Sequence, residues 1–453
     1  MKAKFGSKIG LIAATVGSAV GLGNIWRFPA EAQANGGAAF LLLYIACVFI
    51  LGIPVMVSEF AIGRGGQSDA VGSLKNLGAR RPWWAVGGLA ILASYIILWF
   101  YMVVAGWTFE YLWQSLTGHL YQSVTSTAPG STAQFAVRMN EFIANGFNAS
   151  INTYIVMAVN IAILLLGVQK GIERLSNIMM PMLFVLLLVF CGVSLTLDRA
   201  IEGVEFFLRP DFSKITPRVA LNALGQAFFS LSLGMGILIT YSSYFPSSTK
   251  LTRTAVTVSL LDMLVAILMG LIIFPAVMTF NLSGEGLEGA SLVFITLPEV
   301  FARMPFTRLW SVLFFLLLML AALTSTISIA EVTIAFLQDR FKLSRVKAVM
   351  AAMLPLLVFS TICAYSYSPS FEHIRIAGLT IFDALDYFAT NICLPVGSIF
   401  LCIYIGWFSP RGFLWRELTN DGTVKSHVFK LMLFIIRYVA PVLIALILVG
   451  TFM

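Results

Sequence analysis

The chain reads as an all-α integral membrane protein, on three observations. Apolar residues fill 59% of its 453 positions and charged residues only 11%, the balance of a polytopic membrane protein rather than a soluble enzyme. Runs of the ~20 apolar residues needed to cross a bilayer recur, giving eleven expected spans, at roughly 10–34, 38–61, 86–113, 153–169, 176–197, 219–243, 255–280, 308–336, 347–366, 375–406 and 430–452. Basic residues then concentrate on alternate loops. Lys2, Lys4 and Lys8 precede the first span, Arg64, Lys75, Arg80 and Arg81 follow the second, and Lys170 and Arg174 the fourth. Lys250 and Arg253 follow the sixth, Arg340, Lys342, Arg345 and Lys347 the eighth, and Arg411, Arg416, Lys425 and Lys430 the tenth.

Under the positive-inside rule this places the N-terminus in the cytoplasm, and an odd span count places the C-terminus outside. The expected location is the plasma (inner) membrane. The net charge of +8 is spread over membrane-flanking loops, so no nucleic acid is expected as a partner. The N-terminal lysines, apolar run and small residues near Ala19 have a signal peptide's outline, but cleavage there would discard the start of a span. Cys47, Cys191, Cys363, Cys393 and Cys402 all fall inside spans without metal spacing, and His119, His373 and His427 lie far apart in loops. Neither a disulfide framework nor a catalytic constellation follows, and the chain is not expected to be an enzyme.

Span one should not run as one helix. Residues 17–29, Gly-Ser-Ala-Val-Gly-Leu-Gly-Asn-Ile-Trp-Arg-Phe-Pro, place glycines, Asn24, Arg27 and Pro29 at membrane depth. Backbone freed from helix bonds survives there only where protein or a water-filled cavity satisfies it, and an intramembrane Arg marks a functional site by default. The alternative is packing, since Gly17-x-x-x-Gly21 is also a small-residue helix contact. Span five opens with Gly171 and Pro181, which permit local unwinding or simply start and kink a helix. Span six repeats the oddity of span one: Gln226 to Gly236 carries Ser230, Ser232 and a Gly-Met-Gly answering the Gly-Leu-Gly of 21–23. Span eight carries the run Ala321-Ala322-Leu323-Thr324-Ser325.

Interrupted spans at matching positions of two halves point to a midplane site in a secondary transporter. We expect a first five-helix repeat over 1–200, a second over 219–407 in the opposite orientation, and an extra span over 429–453. Half-helix N-termini suit a carboxylate, whereas unwound carbonyls and half-helix C-termini suit Na⁺ or an ammonium group. A zwitterion uses both.

The stretches GSAVGLGNIWRFP, NGGAAF and GIPVMVSEFAIGRGG, followed by FFSLSLGMG, FITLPEVF and ALTSTIS, resemble the neurotransmitter:sodium symporter family across spans one to ten. Within it the chain is most similar to bacterial transporters of several hydrophobic amino acids, down to the eleven-span length. The resemblance implies a 5+5 inverted-repeat (LeuT-like) core and two sodium ions, with no organic cofactor. The first ion would take Ala19, Asn24, Ser230 and Asp262, and the second Gly17, Val20, Ala321, Thr324 and Ser325. An Asp at 262, with Ala266 one turn on, implies chloride independence.

The implied substrate pocket comprises Ser18, Ala19, Gly21, Gly23, Tyr101, Phe229, Ser230, Ser232, Met235, Ser325, Ser328 and Ile329. Tyr101 and Phe229 would form its lid, and the flexible Met235 would admit aromatic as well as aliphatic side chains. By themselves these three also read as packing residues. Arg27, Gln226 and Asp386 are the implied outer gate. Lys2, Asp339 and Tyr244 are the inner one, although Lys2 also reads as an ordinary cytoplasmic charge. Gly171 and Pro181 would open a water path to the second ion. The expected function is sodium-coupled import of hydrophobic L-amino acids by alternating access. Import of another small zwitterion, a channel, and a non-transporting amino acid sensor on the same scaffold remain open, as does oligomeric state.

Overall fold

The computed structural model describes residues 4–78, 82–122, 132–281, 292–371, 373–425 and 428–450. Among these the chain is helical, with one isolated bridge between Ile376 and Leu379. The first apolar segment is broken into α1 (Lys8–Ala19) and α2 (Gly23–Ala34), bent by 55°. Four unbroken helices follow: α3 (Ala38–Gly66), α4 (Trp84–Thr117), α5 (Gly146–Leu165) and α6 (Val168–Ser194). A second break separates α7 (Pro217–Ser230) from α8 (Ile237–Ser242). Then come α9 (Leu251–Phe280), α10 (Thr307–Phe341), α11 (Arg345–Tyr365), α12 (Ile381–Phe408) and α13 (Phe429–Gly450).

Nine of these helices are long and apolar enough to cross a membrane, ten counting the bent α1–α2 pair. The broken α7–α8 segment lies where the sixth span was expected, its halves each too short to cross alone. Spans four and five are displaced from their expected positions. Gly167 has φ +80°, which ends α5 early and turns the chain directly into α6. Lys170 and Arg174 therefore lie in the opening turns of α6 rather than in a loop.

The longest helices, α4 and α10, make the most extensive pairing in the molecule, and α1 packs against both α10 and α6. The broken segments thus lie inside a jacket of continuous helices, where protein can satisfy their backbone. α13 sits at the edge, with only 22% of its apolar window buried.

Candidate cation and substrate site

The break in helix one is held open by side chains. In a continuous helix the amides of Gly21 and Leu22 would bond the carbonyls of Gly17 and Ser18. Instead Gly21 N donates to Asn24 Oδ1 (3.4 Å) and Leu22 N to the Tyr101 hydroxyl (3.2 Å). The Ser18 carbonyl accepts from Ser232 Oγ at 2.9 Å, and the Gly23 carbonyl from Gln226 Nε2 at 3.0 Å. Both bonds tie the break to the other broken segment. A side chain at Gly23 would meet the Phe229 ring at 2.9 Å, so glycine is needed for this approach.

The second break has its own brace. Ser232, Gly234 and Gly236 take φ of +53°, +79° and +72°, the left-handed region that glycine enters without penalty. The freed Gly234 amide donates to the buried Glu59 carboxylate of α3 at 2.7 Å, and Ser94 of α4 donates to the Met235 carbonyl. Glu59 and Ser94 were not singled out from sequence, although a lone acid toward the end of span two was a signal.

Asn24, Ser230 and Asp262 meet as expected, all but fully buried. Asn24 Nδ2 donates to Ser230 Oγ (2.9 Å), to Asp262 Oδ1 (2.9 Å) and to the Asp262 carbonyl (3.2 Å). Ser230 Oγ donates to Asp262 Oδ2 at 2.5 Å. Tyr44 of α3, missed in the sequence, donates to the same carboxylate at 3.3 Å and lies 3.2 Å from Ser230 Oγ. The Ala19 carbonyl stands at the C-terminal end of α1, where helix carbonyls carry partial negative charge.

The second expected cage forms where α1 touches α10. Ser325 Oγ reaches the Val20 carbonyl at 3.4 Å, and Thr324 Oγ1 bonds the carbonyls of Ala321 (3.0 Å) and Leu320 (3.1 Å). A side chain at Gly17 would meet Thr324 Cβ and the Met180 sulfur, each at 3.2 Å. Met180, next to Pro181, brings α6 to this cage. Both clusters are carbonyl, hydroxyl and amide oxygens, the first adding one carboxylate, a donor set suited to a hard monovalent cation.

Between the breaks lies a cavity of about 40 Å³, lined by Ser18, Ala19, Gly21, Gly23, Tyr101, Phe229, Ser230, Ser232, Met235, Ser325 and Ile329. Ile97, Phe100, Ile237 and Thr390 join them. Ser328 is the exception among the expected lining residues. Its hydroxyl turns back to the Thr324 carbonyl (2.7 Å) and accepts from Tyr241 (2.8 Å).

Beyond Tyr101 and Phe229 opens a larger vestibule of about 510 Å³, lined by Trp26, Arg27, Phe382, Asp386 and Asn391 among others. The Arg27 guanidinium lies 4.5 Å over the Phe229 ring. Arg27 and Asp386 share the vestibule, but among the described residues no ion pair within 4 Å joins them. Gln226 acts deeper, on the helix break.

The opposite end is sealed. Phe5 packs edge-on against Tyr241 and Tyr244 and touches Phe245, and its amide donates to the Tyr244 carbonyl (3.1 Å). Tyr244 donates to Glu331 (2.8 Å), which forms a two-pronged ion pair with Arg345 at 2.7 and 2.8 Å. Asp339 accepts from Ser68 Oγ (3.0 Å) and Asp69 N (2.8 Å). Lys2 lies outside the described residues.

Comparison with known proteins agrees with this geometry. A crystal structure of MhsT in complex with L-phenylalanine superposes with a TM-score of 0.89 at 38% identity, covering 100% of both chains. The uncharacterised sodium-dependent transporter YhdH of Bacillus subtilis is 35% identical over 98% of this chain and 96% of its own. A sodium-dependent transporter of Haemophilus influenzae is 33% identical over 98% of this chain and 97% of its own. The model of the sodium:neurotransmitter symporter family matches residues 2–128 and 133–453. The chain belongs to that family of sodium-dependent transporters, on a LeuT-like fold.

Proposed function

We propose that the chain imports hydrophobic L-amino acids, aliphatic and aromatic, together with two sodium ions and without chloride. The observation that carries this reading is the mixed lining of the central cavity. It combines broken-helix backbone and hydroxyl groups with the apolar side chains of Ile97, Phe100, Met235, Ile237 and Ile329. The polar groups suit a zwitterionic head and the apolar ones an apolar side chain. The phenylalanine held by MhsT is a ligand of this class.

In the proposed cycle, sodium enters the Asn24–Ser230–Asp262 cluster and the Gly17–Val20–Ala321–Thr324–Ser325 cluster from the vestibule. The first ion takes the position that the Asn24 amide N–H groups serve here, with Oδ1 turned toward it. The substrate carboxylate completes that cage, and Phe229 and Tyr101 close beneath Arg27. Asp386 draws Arg27 across the vestibule, and the Phe5 cluster then parts on the cytoplasmic side. Asp262 keeps a negative charge in the protein, which removes the need for chloride. Two ions moving with each zwitterion across 100 mV supply about 4.6 kcal/mol, roughly a thousandfold accumulation.

The test is uptake of labelled L-leucine into proteoliposomes under a sodium gradient, competed by every other amino acid. Phenylalanine and tryptophan should compete as fully as isoleucine, and replacing chloride by gluconate should leave the rate unchanged. Leucine uptake that tryptophan leaves untouched would refute the roomy pocket. Absence of counterflow would indicate a sensor rather than a carrier.

A further inference from the structure

α4 rises from the central cavity, where Tyr101 lies, past Val104 in the vestibule to Glu110. Nine residues at ~1.5 Å each put Glu110 roughly 14 Å beyond the cavity. That is close to the ~15 Å half-thickness of the hydrocarbon layer, so the carboxylate stands where acyl chains give way to headgroups. An acid at this depth is costly without a partner.

Glu110 opens into a trough of about 450 Å³ between α4 and α5, lined by Phe109, Trp113, Asn148, Ile151, Asn152 and Ile155. Gln114 Nε2 donates to Glu110 Oε1 (2.6 Å) and Asn152 Nδ2 to Oε2 (2.8 Å). Each oxygen keeps a further acceptor site. Trp113 is 56% exposed, and Ile151 and Ile155 are each 40% exposed. One negative charge with spare acceptor capacity thus sits in an apolar trough on the bundle's outer face.

We propose that this trough binds a phospholipid with a primary ammonium headgroup, in the leaflet on the vestibule side. The ammonium N–H groups bond Glu110, and an acyl chain lies along Phe109, Trp113, Ile151 and Ile155. A free inorganic cation would make no use of those walls. A trimethylammonium headgroup has the charge but no N–H to donate, and an anionic headgroup is repelled. Neither cation cage nor the substrate cavity includes Glu110, so the proposal stands apart from the transport reading.

Native mass spectrometry of the delipidated full chain, titrated with phosphatidylethanolamine, phosphatidylcholine or phosphatidylglycerol of identical acyl chains, tests it. The ethanolamine lipid should be retained about tenfold better than the choline lipid, as one charge-assisted hydrogen bond provides. Glu110→Gln should abolish that preference while its melting profile shows a folded protein. If this variant fails to fold, Ile151→Trp, which fills the trough, should lower ethanolamine-lipid retention instead. Equal retention of the two lipids by the wild type, or a preference surviving Glu110→Gln, overturns the proposal. So does displacement of the lipid by glycerophosphoethanolamine, which lacks acyl chains, or cross-linking of two copies through Trp113→Cys in the membrane.

Discussion

Asp262 concentrates most of the site's charge in one buried side chain. It takes donors from three helices: Asn24 after the first break, Ser230 before the second, and Tyr44 of α3. A cation entering this cluster meets a fixed negative charge in surroundings that screen it weakly. Asp262→Asn keeps shape and hydrogen bonding but removes the charge, so sodium affinity should fall at least about tenfold, as loss of one charged interaction implies. Chloride should then stimulate transport by the variant but not by the wild type, read as uptake against chloride concentration. A variant as indifferent to chloride as the wild type would remove the explanation. Tyr44→Phe deletes one donor and should cost only about 1 kcal/mol of sodium binding. Asn24 and Ser230 were legible in the sequence because a polar residue in an apolar run stands out, whereas Asp262, a single acid early in its span, came only with the family resemblance. Tyr44 was not, because an aromatic residue in a membrane helix looks like packing until its hydroxyl is placed. Ser328 was implied by the resemblance alone, which does not reveal that the hydroxyl folds back on its own helix.

At the scale of elements, α6 is the one whose behaviour the sequence only half disclosed. Gly171 and Pro181 are plain to read; their link to the N-terminal segment is not, because it joins residues more than 160 positions apart. Glu173, in the opening turn of α6, accepts from Gly6 N (2.7 Å), Ser7 N (2.9 Å) and Ser7 Oγ (2.8 Å), fixing the entry to α1. Gln169 adds a bond to the Lys4 carbonyl at 2.6 Å. α1 therefore cannot swing at the Phe5 end unless Glu173 lets go, and loosening α6 at Gly171 would release both together. Glu173→Ala removes charge-assisted bonds of about 2 kcal/mol each. Hydrogen exchange of residues 5–12 should quicken at least about tenfold, and the mouth at the Phe5 end should become accessible to thiol reagents without substrate. Unchanged exchange there would sever the coupling. The short helix Ala70–Asn76 beside this end gives a pH test. Burial pushes the Asp69 carboxyl above its usual range, against the pull of the Gly72 and Val71 amides, and neighbouring Asp339 pushes the same way. A raised value in the fold means that stability is full below the ordinary carboxylate range and is lost as pH rises through the raised value. Melting temperature should thus fall with rising pH over that window in the wild type and fall less in Asp69→Asn, which keeps the helix cap.

Across the whole molecule the two ends of the bundle are unlike. The vestibule end is open down to the Phe229 ring, whereas the other is shut by the Phe5 cluster and by ion pairs: Arg64 of α3 with the sequence-distant Glu417 at 2.6 Å, and Arg345 of α11 with Glu331 of α10. The all-helical membrane-spanning outline and the paired breaks were readable because hydrophobic run length and helix-breaking residues are local signals. This asymmetry was not, since it rests on pairings that no spacing encodes. The Arg345 pair has the widest reach, because Arg345 also bonds the Leu164 carbonyl at 2.8 Å and so joins α5, α10 and α11, while Tyr244 joins α8 to the same carboxylate. Glu331 is fully buried. Arg345→Ala would leave its charge unpaired, at a cost of about 3–5 kcal/mol to the closed arrangement. Opening the Phe5 end relieves that cost by admitting water to Glu331, so the variant should shift toward the open form rather than simply unfold. Sodium-dependent substrate affinity measured from the vestibule side should drop about tenfold or more. Adding Glu331→Gln should restore much of it, because the neutral amide no longer needs a cation and still accepts from Tyr244. If the double variant binds no better than Arg345→Ala alone, the loss comes from the Leu164 and packing contacts of Arg345, and the ion pair does not hold the Phe5 end shut.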